Sequence, residues 1–171
     1  MKKFISLALI AASLAVSAQA LNVGLEAGYL TDAKEEYISA RIGYQLQSKD
    51  TLAQEIGLEL GYTRQKDSGV KGEILPLTVN YRFESTAANK LGYYFGAGAG
   101  VAFVDLSGFG FSDDDTTFAA QAFTGLSYQV SDAVKLHLGL KYIWIDDVKL
   151  FGTSGEVGDD LAITAGLSIK F

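Results

Sequence analysis

The chain has 171 residues, with 14 Lys and Arg against 20 Asp and Glu, one His, one Pro and no Cys. That length suits a single domain, the acidic balance argues against a nucleic-acid partner, and the lack of cysteine excludes a disulfide framework. Nineteen Gly with 10 Phe, 9 Tyr and 1 Trp make a strand-rich composition, poor in side chains for metal or nucleophile chemistry, so no cofactor is expected.

The first twenty residues, MKKFISLALIAASLAVSAQA, open with Lys2 and Lys3, run apolar over 4–16 and finish on small residues around Gln19. This is the pattern of a cleavable secretory signal over 1–20. A membrane anchor is the rival, but the run is short, Ser6 and Ser13 break it, and strand patterning follows at once. The expected mature domain, 21–171, has 151 residues; without Lys2 and Lys3 it carries 12 basic against 20 acidic side chains, a net charge near −8.

Eight segments then alternate with period two, at 21–30, 36–47, 53–65, 70–83, 91–105, 116–130, 133–146 and 159–171, with no amphipathic helical stretch between them. In chain order their apolar faces start with Leu21, Val23, Leu25, Ala27 and Tyr29, then Ile38, Ala40, Ile42, Tyr44 and Leu46, then Ile56, Leu58, Leu60 and Tyr62. The fourth offers Leu75, Leu77, Val79, Tyr81 and Phe83, and the fifth Tyr93, Phe95, Ala97, Ala99, Val101 and Phe103. The sixth is weakest, its row from Phe118 to Tyr128 holding Thr124; the seventh runs Val134, Leu136, Leu138, Leu140, Tyr142, Trp144 and the eighth Leu161, Ile163, Ala165, Leu167, Ile169, Phe171. Each segment is about twice the length of an ordinary soluble strand.

Connectors alternate between short ones, SKDT, ESTAANK and a turn at Ser131-Asp132, and a second set, TDAKE, QKDSG, LSGFGFSDDD and DVKLFGTSGEVG, of which the last two are long. Short turns at one rim and longer loops at the other characterise membrane-spanning barrels. Aromatics on the apolar faces sort to the strand ends. Tyr44, Tyr81, Phe83, Tyr93, Phe95, Tyr128 and Phe171 fall at the inner level, and Tyr29, Tyr62, Phe103, Phe118, Tyr142 and Trp144 at the outer one. Two interfacial belts explain that sorting. The expected fold is therefore all-β: an eight-stranded antiparallel up-and-down transmembrane β-barrel.

The opposite parity carries Glu26, Arg41, Glu55, Glu59, Arg82, Lys135, Lys141 and Lys170, with His137 among them. Buried inside a narrow lumen these charges need partners. Hairpin closure predicts Glu26 opposite Arg41, Arg41 opposite Glu59 and Gln45 opposite Glu55, so that one arginine lies between two glutamates. The glycines of GAGAG at 96–100 lie within a strand and lack dinucleotide-binding spacing; they are expected to make room for Glu26, Arg41 and Glu59.

An exported leader, eight alternating strands and a terminal Gly166-x-x-x-x-Phe171 resemble small bacterial outer-membrane barrels of the OmpA transmembrane-domain and OmpX/Ail type. The resemblance implies a bacterial outer-membrane location in a Gram-negative envelope, lipid and lipopolysaccharide around the wall, and a final strand, here Leu167, Ile169 and Phe171, read by the barrel assembly machinery. It covers the mature chain as architecture, and only the ending is motif-like. The chain stops where OmpA continues into a periplasmic domain, and its outer loops are shorter than those of Ail-like adhesins.

His137 is the one obvious general base, but its inward parity, with Ser168 as the expected cross-strand neighbour, hides it from a lipid substrate, so no enzyme is expected. The acidic stretches at 112–115, 146–147 and 159–160 are read as solvated loops rather than divalent-cation sites. The apolar tips FGFS and LFG are too small to make an interface. The expected function is a monomeric outer-membrane barrel with a structural or surface-interaction role, a charge-paired lumen and no wide, porin-like pore. The alternatives are a soluble periplasmic lipocalin-like carrier, in which the apolar face points inward, a lipid A-modifying barrel enzyme, and a narrow channel.

Overall fold

The computed structural model describes residues 21–49, 52–67, 70–86, 90–108, 111–150, 153–155 and 158–171. The leader at 1–20 lies outside the described residues, as do the tip residues 109–110 and 151–152. Eight strands close into one antiparallel barrel: β1 Leu21–Leu30, β2 Glu36–Lys49, β3 Leu52–Asp67, β4 Val70–Thr86, β5 Leu91–Gly108, β6 Phe111–Gln129, β7 Val134–Ile145 and β10 Gly158–Lys170. Sequential neighbours pair around the wall, and β10 returns to pair with β1 from Asn22↔Lys170 to Leu30↔Ala162. A small hairpin, β8 Val148–Leu150 with β9 Thr153–Gly155, sits in the last outer connection.

The alternation resolves as lipid-facing apolar rows and an inward polar row. Leu138 and Leu25 are 59 % and 58 % exposed, while Lys141 and Glu59 retain 2 % and 4 %. An apolar wall turned outward on every barrel strand, around buried charges, is the reverse of a lipocalin-like carrier. Aromatic rings meet at both ends of the wall. Phe83 stacks on its cross-strand partner Phe95 at 5.1 Å and Tyr81 meets Phe83 edge-on at 5.0 Å, while toward the outer rim Phe118 and Trp144 form a T at 5.7 Å.

Three sequence expectations change. The β1–β2 turn is tighter than predicted: Lys34 takes a left-handed φ of 58°, Lys34 N–H donates to Leu30 O and Leu30 N–H to Glu35 O. Register therefore shifts by two, so Gly24 opposes Arg41 and Glu26 opposes Ser39; an even shift leaves the faces unchanged. The pairings Arg41↔Glu59 and Gln45↔Glu55 are as expected.

The outer connectors QKDSG and LSGFGFSDDD are mostly strand. Pairing runs to Asp67↔Val70 and to Gly108↔Phe111, which leaves two-residue tips and a raised wall of β3 to β6. Beyond Ala119↔Ile145 the outer end of β6 has no ladder partner in β7. There the Asp113 and Asp115 carboxylates accept the N–H groups of Asp114 and Thr116 at 3.1 and 2.8 Å, which occupies edge donors that would otherwise invite strand addition.

The third change concerns the glycines of β5. A Cβ at Gly96 would meet Phe123 at 2.6 Å and a Cβ at Gly98 would overlap the Asn80 side chain, so this wall yields to neighbouring side chains rather than to Glu26, Arg41 and Glu59. Lumen side chains on adjacent strands lean sideways over a glycine more readily than they reach across the barrel.

Because Leu138 lies mid-wall and is open to lipid, Leu138→Arg should cost about 2–4 kcal/mol in equilibrium unfolding from bilayers. Gln121→Ala, which removes one buried hydrogen bond to Asn80, should cost about 1 kcal/mol. Equal losses would contradict the assigned faces.

Candidate functional site

The lumen is the only enclosed polar region that the described residues build, and it divides into three layers. In the middle, Lys141 on β7 projects between two carboxylates. Its Nζ lies 2.6 Å from Glu26 Oε1, an ion pair without hydrogen-bond angles, and donates to Glu59 Oε1. Tyr37 O–H donates to the same Glu59 oxygen at 3.3 Å, Asn80 Nδ2 donates to Glu59 Oε2 at 3.0 Å, and Gln121 Nε2 donates to Asn80 Oδ1 at 2.9 Å. The expectation of one arginine between two glutamates becomes one lysine between two glutamates. Barrel curvature brings β7 across to β1 and β3, a proximity that hairpin register cannot reveal.

Toward the inner rim a second network includes Arg41, 3.4 Å from Glu55, whose other oxygen accepts from Asn22 at 2.7 Å. Arg82 Nη2 lies 3.2 Å from Glu84 Oε2, and Lys135 Nζ reaches Glu84 Oε1 at 2.7 Å. The Arg82 guanidinium also stacks 3.8 Å over the Tyr94 ring, which covers the cross-strand pair Gly125↔Gly139. Lys170 joins neither network; it is exposed at the last β1–β10 pair. Glu84 lies in the ESTAANK segment, whose polar residues predict a turn, yet β4 extends through it to Thr86.

His137 and Ser168 do meet, Nε2 to Oγ at 2.8 Å, although backbone register sets Gly166 opposite His137. The other ring nitrogen, Nδ1, lies 3.0 Å from Arg82 Nη2. A guanidinium can only donate, so Nδ1 carries the lone pair and Nε2–H donates to the serine oxygen. A hydrolytic dyad needs the reverse, a histidine lone pair facing the serine proton.

The outer layer departs from the expected polar lumen. Leu30, Ile74, Val104, Ile143, Ile145 and Val148 form a buried apolar cluster there, floored by Tyr37. Between the middle and inner layers a void of about 10 Å³ lies beside Arg41, Glu59, Arg82 and Lys141. That is room for about one water. Among the described residues no group of three or more His, Asp or Glu is arranged to hold a metal ion. Asp160 instead accepts the N–H groups of Asp32 and Ala33 at 3.0 and 2.8 Å, and Asp159 accepts from Tyr142 O–H.

A family model described as the outer membrane protein beta-barrel domain matches residues 4–171. The chain belongs to this family. Its fold is that of Neisserial surface protein A (TM-score 0.70, 17 % identity, over 88 % of this chain and 96 % of that one). It is also similar to Ail, the attachment invasion locus protein of Yersinia pestis (0.59, 14 %, 89 % and 97 %), and to the outer membrane enzyme PagL (0.53, 14 %, 88 % and 99 %). No curated protein matches the chain. The family places the barrel in the bacterial outer membrane.

If Lys141 holds two carboxylates apart, Lys141→Met should destabilise the folded barrel by about 3–5 kcal/mol by leaving Glu26 and Glu59 unpaired. Adding Glu59→Gln should recover part of that loss, read as a non-additive double-mutant cycle in lipid-bilayer unfolding. Strict additivity would show that the triad is not one electrostatic unit.

Proposed function

We propose that this family member is a non-conducting, non-catalytic barrel that serves as a scaffold for interactions at the cell surface, with recognition carried by the raised outer hairpins. The observation supporting this reading most directly is the filled middle of the lumen. The Lys141 triad and the Tyr37 ring occupy it, and the void beside them among the described residues is about 10 Å³. Against catalysis stand the histidine tautomer set by Arg82 and the burial of His137 and Ser168 within the lumen, away from lipid. PagL shares the fold, and shared fold does not carry its chemistry across.

In this reading the partners are outer-membrane lipid and lipopolysaccharide along the wall and the assembly machinery during biogenesis, and the barrel acts as a monomer. Leu167, Ile169 and Phe171 present a lipid-facing row at the closing seam, where Phe171 is 59 % exposed and its N–H donates to Leu21 O at 2.9 Å.

Planar-bilayer recordings should show no discrete conductance steps, and lipid A from cells that make the protein should keep its acylation pattern, unchanged by His137→Ala. Unitary steps or a His137-dependent change in acylation would replace this reading with the channel or the enzyme. Phe171→Ala should lower the heat-modifiable fraction in cells; normal assembly would remove the role given to the last strand.

A further inference from the structure

The outer layer of the lumen encloses a cavity of about 200 Å³ that opens between the outer ends of the strands. Its walls are Leu30, Ile74, Pro76, Ile143 and Ile145, over the face of Tyr37. These apolar walls face Thr63 and Gln65 on the β3 side, and apolar cavities of about 150 Å³ accept a benzene-sized guest. Three of the polar groups that border the space are engaged elsewhere: Tyr37 O–H with Glu59 at 3.3 Å, Thr63 Oγ1 with Glu36 O at 2.9 Å, and Asp160 with the β1–β2 turn; Gln65 also borders it, exposed near the rim.

The mouth differs from the walls. Asp32, Asp159 and Asp160 border it, and among the described residues no basic side chain does. Asp160 is occupied as the cap of the turn, and Asp159 by Tyr142. Among the described residues no hydrogen bond or ion pair engages the Asp32 carboxylate, which stands exposed at the entrance. A guest thus meets an apolar chamber with room for a ring or a short branched chain, and one free negative charge where the chamber meets water.

We propose that this cavity is a binding site for a small amphipathic cation, its ring or branched aliphatic body seated among the isoleucines and its ammonium group at Asp32. The inference deepens the surface-interaction reading and rests on it, because the site opens toward the outer rim. An anionic guest is disfavoured by the acidic mouth, and a long lipid chain by the Lys141 layer that closes the cavity from below.

The test uses the full chain in zwitterionic lipid nanodiscs, with isoleucine methyl groups labelled for NMR and phenethylammonium as the probe. The expected result is saturable shifts at Ile74, Ile143 and Ile145, absent with phenylacetate and weaker with the neutral 2-phenylethanol. Asp32→Asn should weaken phenethylammonium about three- to fivefold, the worth of one exposed charge contact, and bring it level with the alcohol. Ile143→Trp, or Ile74→Phe should the first variant fail to fold, should abolish the shifts by filling the space. Shifts that survive filling would mean partition into lipid and would overturn the site, and equal binding of cation and alcohol by the unaltered protein would overturn the role of Asp32. Absence of shifts in a sample that stays heat-modifiable sinks this proposal alone, whereas loss of heat-modifiability in the unaltered protein sinks the barrel reading beneath it.

Discussion

The barrel depends on how its lumen charges are neutralised. A wall that presents leucine to lipid on one face must turn its other face inward, where water is scarce and an isolated ion costs several kcal/mol. Lys141 answers this by standing between Glu26 and Glu59, with Tyr37 and Asn80 completing the Glu59 carboxylate. Four strands, β1, β2, β3 and β7, contribute to that single contact set, and β4 joins through Asn80. The triad therefore ties opposite walls together, a task that backbone ladders between neighbours cannot perform.

Around this layer the lumen changes character along the axis. Arg41, Arg82, Glu55 and Glu84 form a second network near the inner rim, and branched aliphatics line the outer end. The contrast follows from the surroundings. Lys135, its side chain 29 % exposed, brings the inner network out to the periplasmic mouth, while the aliphatic layer and Tyr37 lie between the triad and the outer rim. The hairpins of β3 to β6 carry the wall beyond this layer, pairing out to Asp67↔Val70 and Gly108↔Phe111.

How far the site was legible can be followed residue by residue. Parity alone placed Glu26, Glu59, Arg82 and Lys141 on the inner face, since a two-residue period is insensitive to even shifts in register. Partner assignment was a different matter. Hairpin spacing sets Glu26 opposite Arg41, whereas the left-handed Lys34 tightens the β1–β2 turn by two residues, and a lysine gives no signature as clear as a glycine would. Glu84 and the acidic run at 112–115 were read as connector because polar residues dominate them, yet backbone pairing continues through both. Asn80, Tyr37 and Tyr94 carried no signal at all: neutral polar and aromatic side chains on an inward face look like filler until their partners are known.

The sequence by itself determined the class of structure: alternation over eight long segments, aromatics sorted to their ends and an all-apolar outward row leave a membrane barrel as the arrangement that satisfies every backbone group in lipid. It also determined which side chains face inward, because that depends only on local period. Tertiary structure alone decided who meets whom. Closure of the sheet brings residues such as Glu26 and Lys141 within 2.6 Å although their strands share no ladder. The same closure orients His137 between Arg82 and Ser168 and leaves the apolar chamber at the outer end, because distances across a lumen are set by curvature and strand tilt, which no run of neighbouring residues encodes.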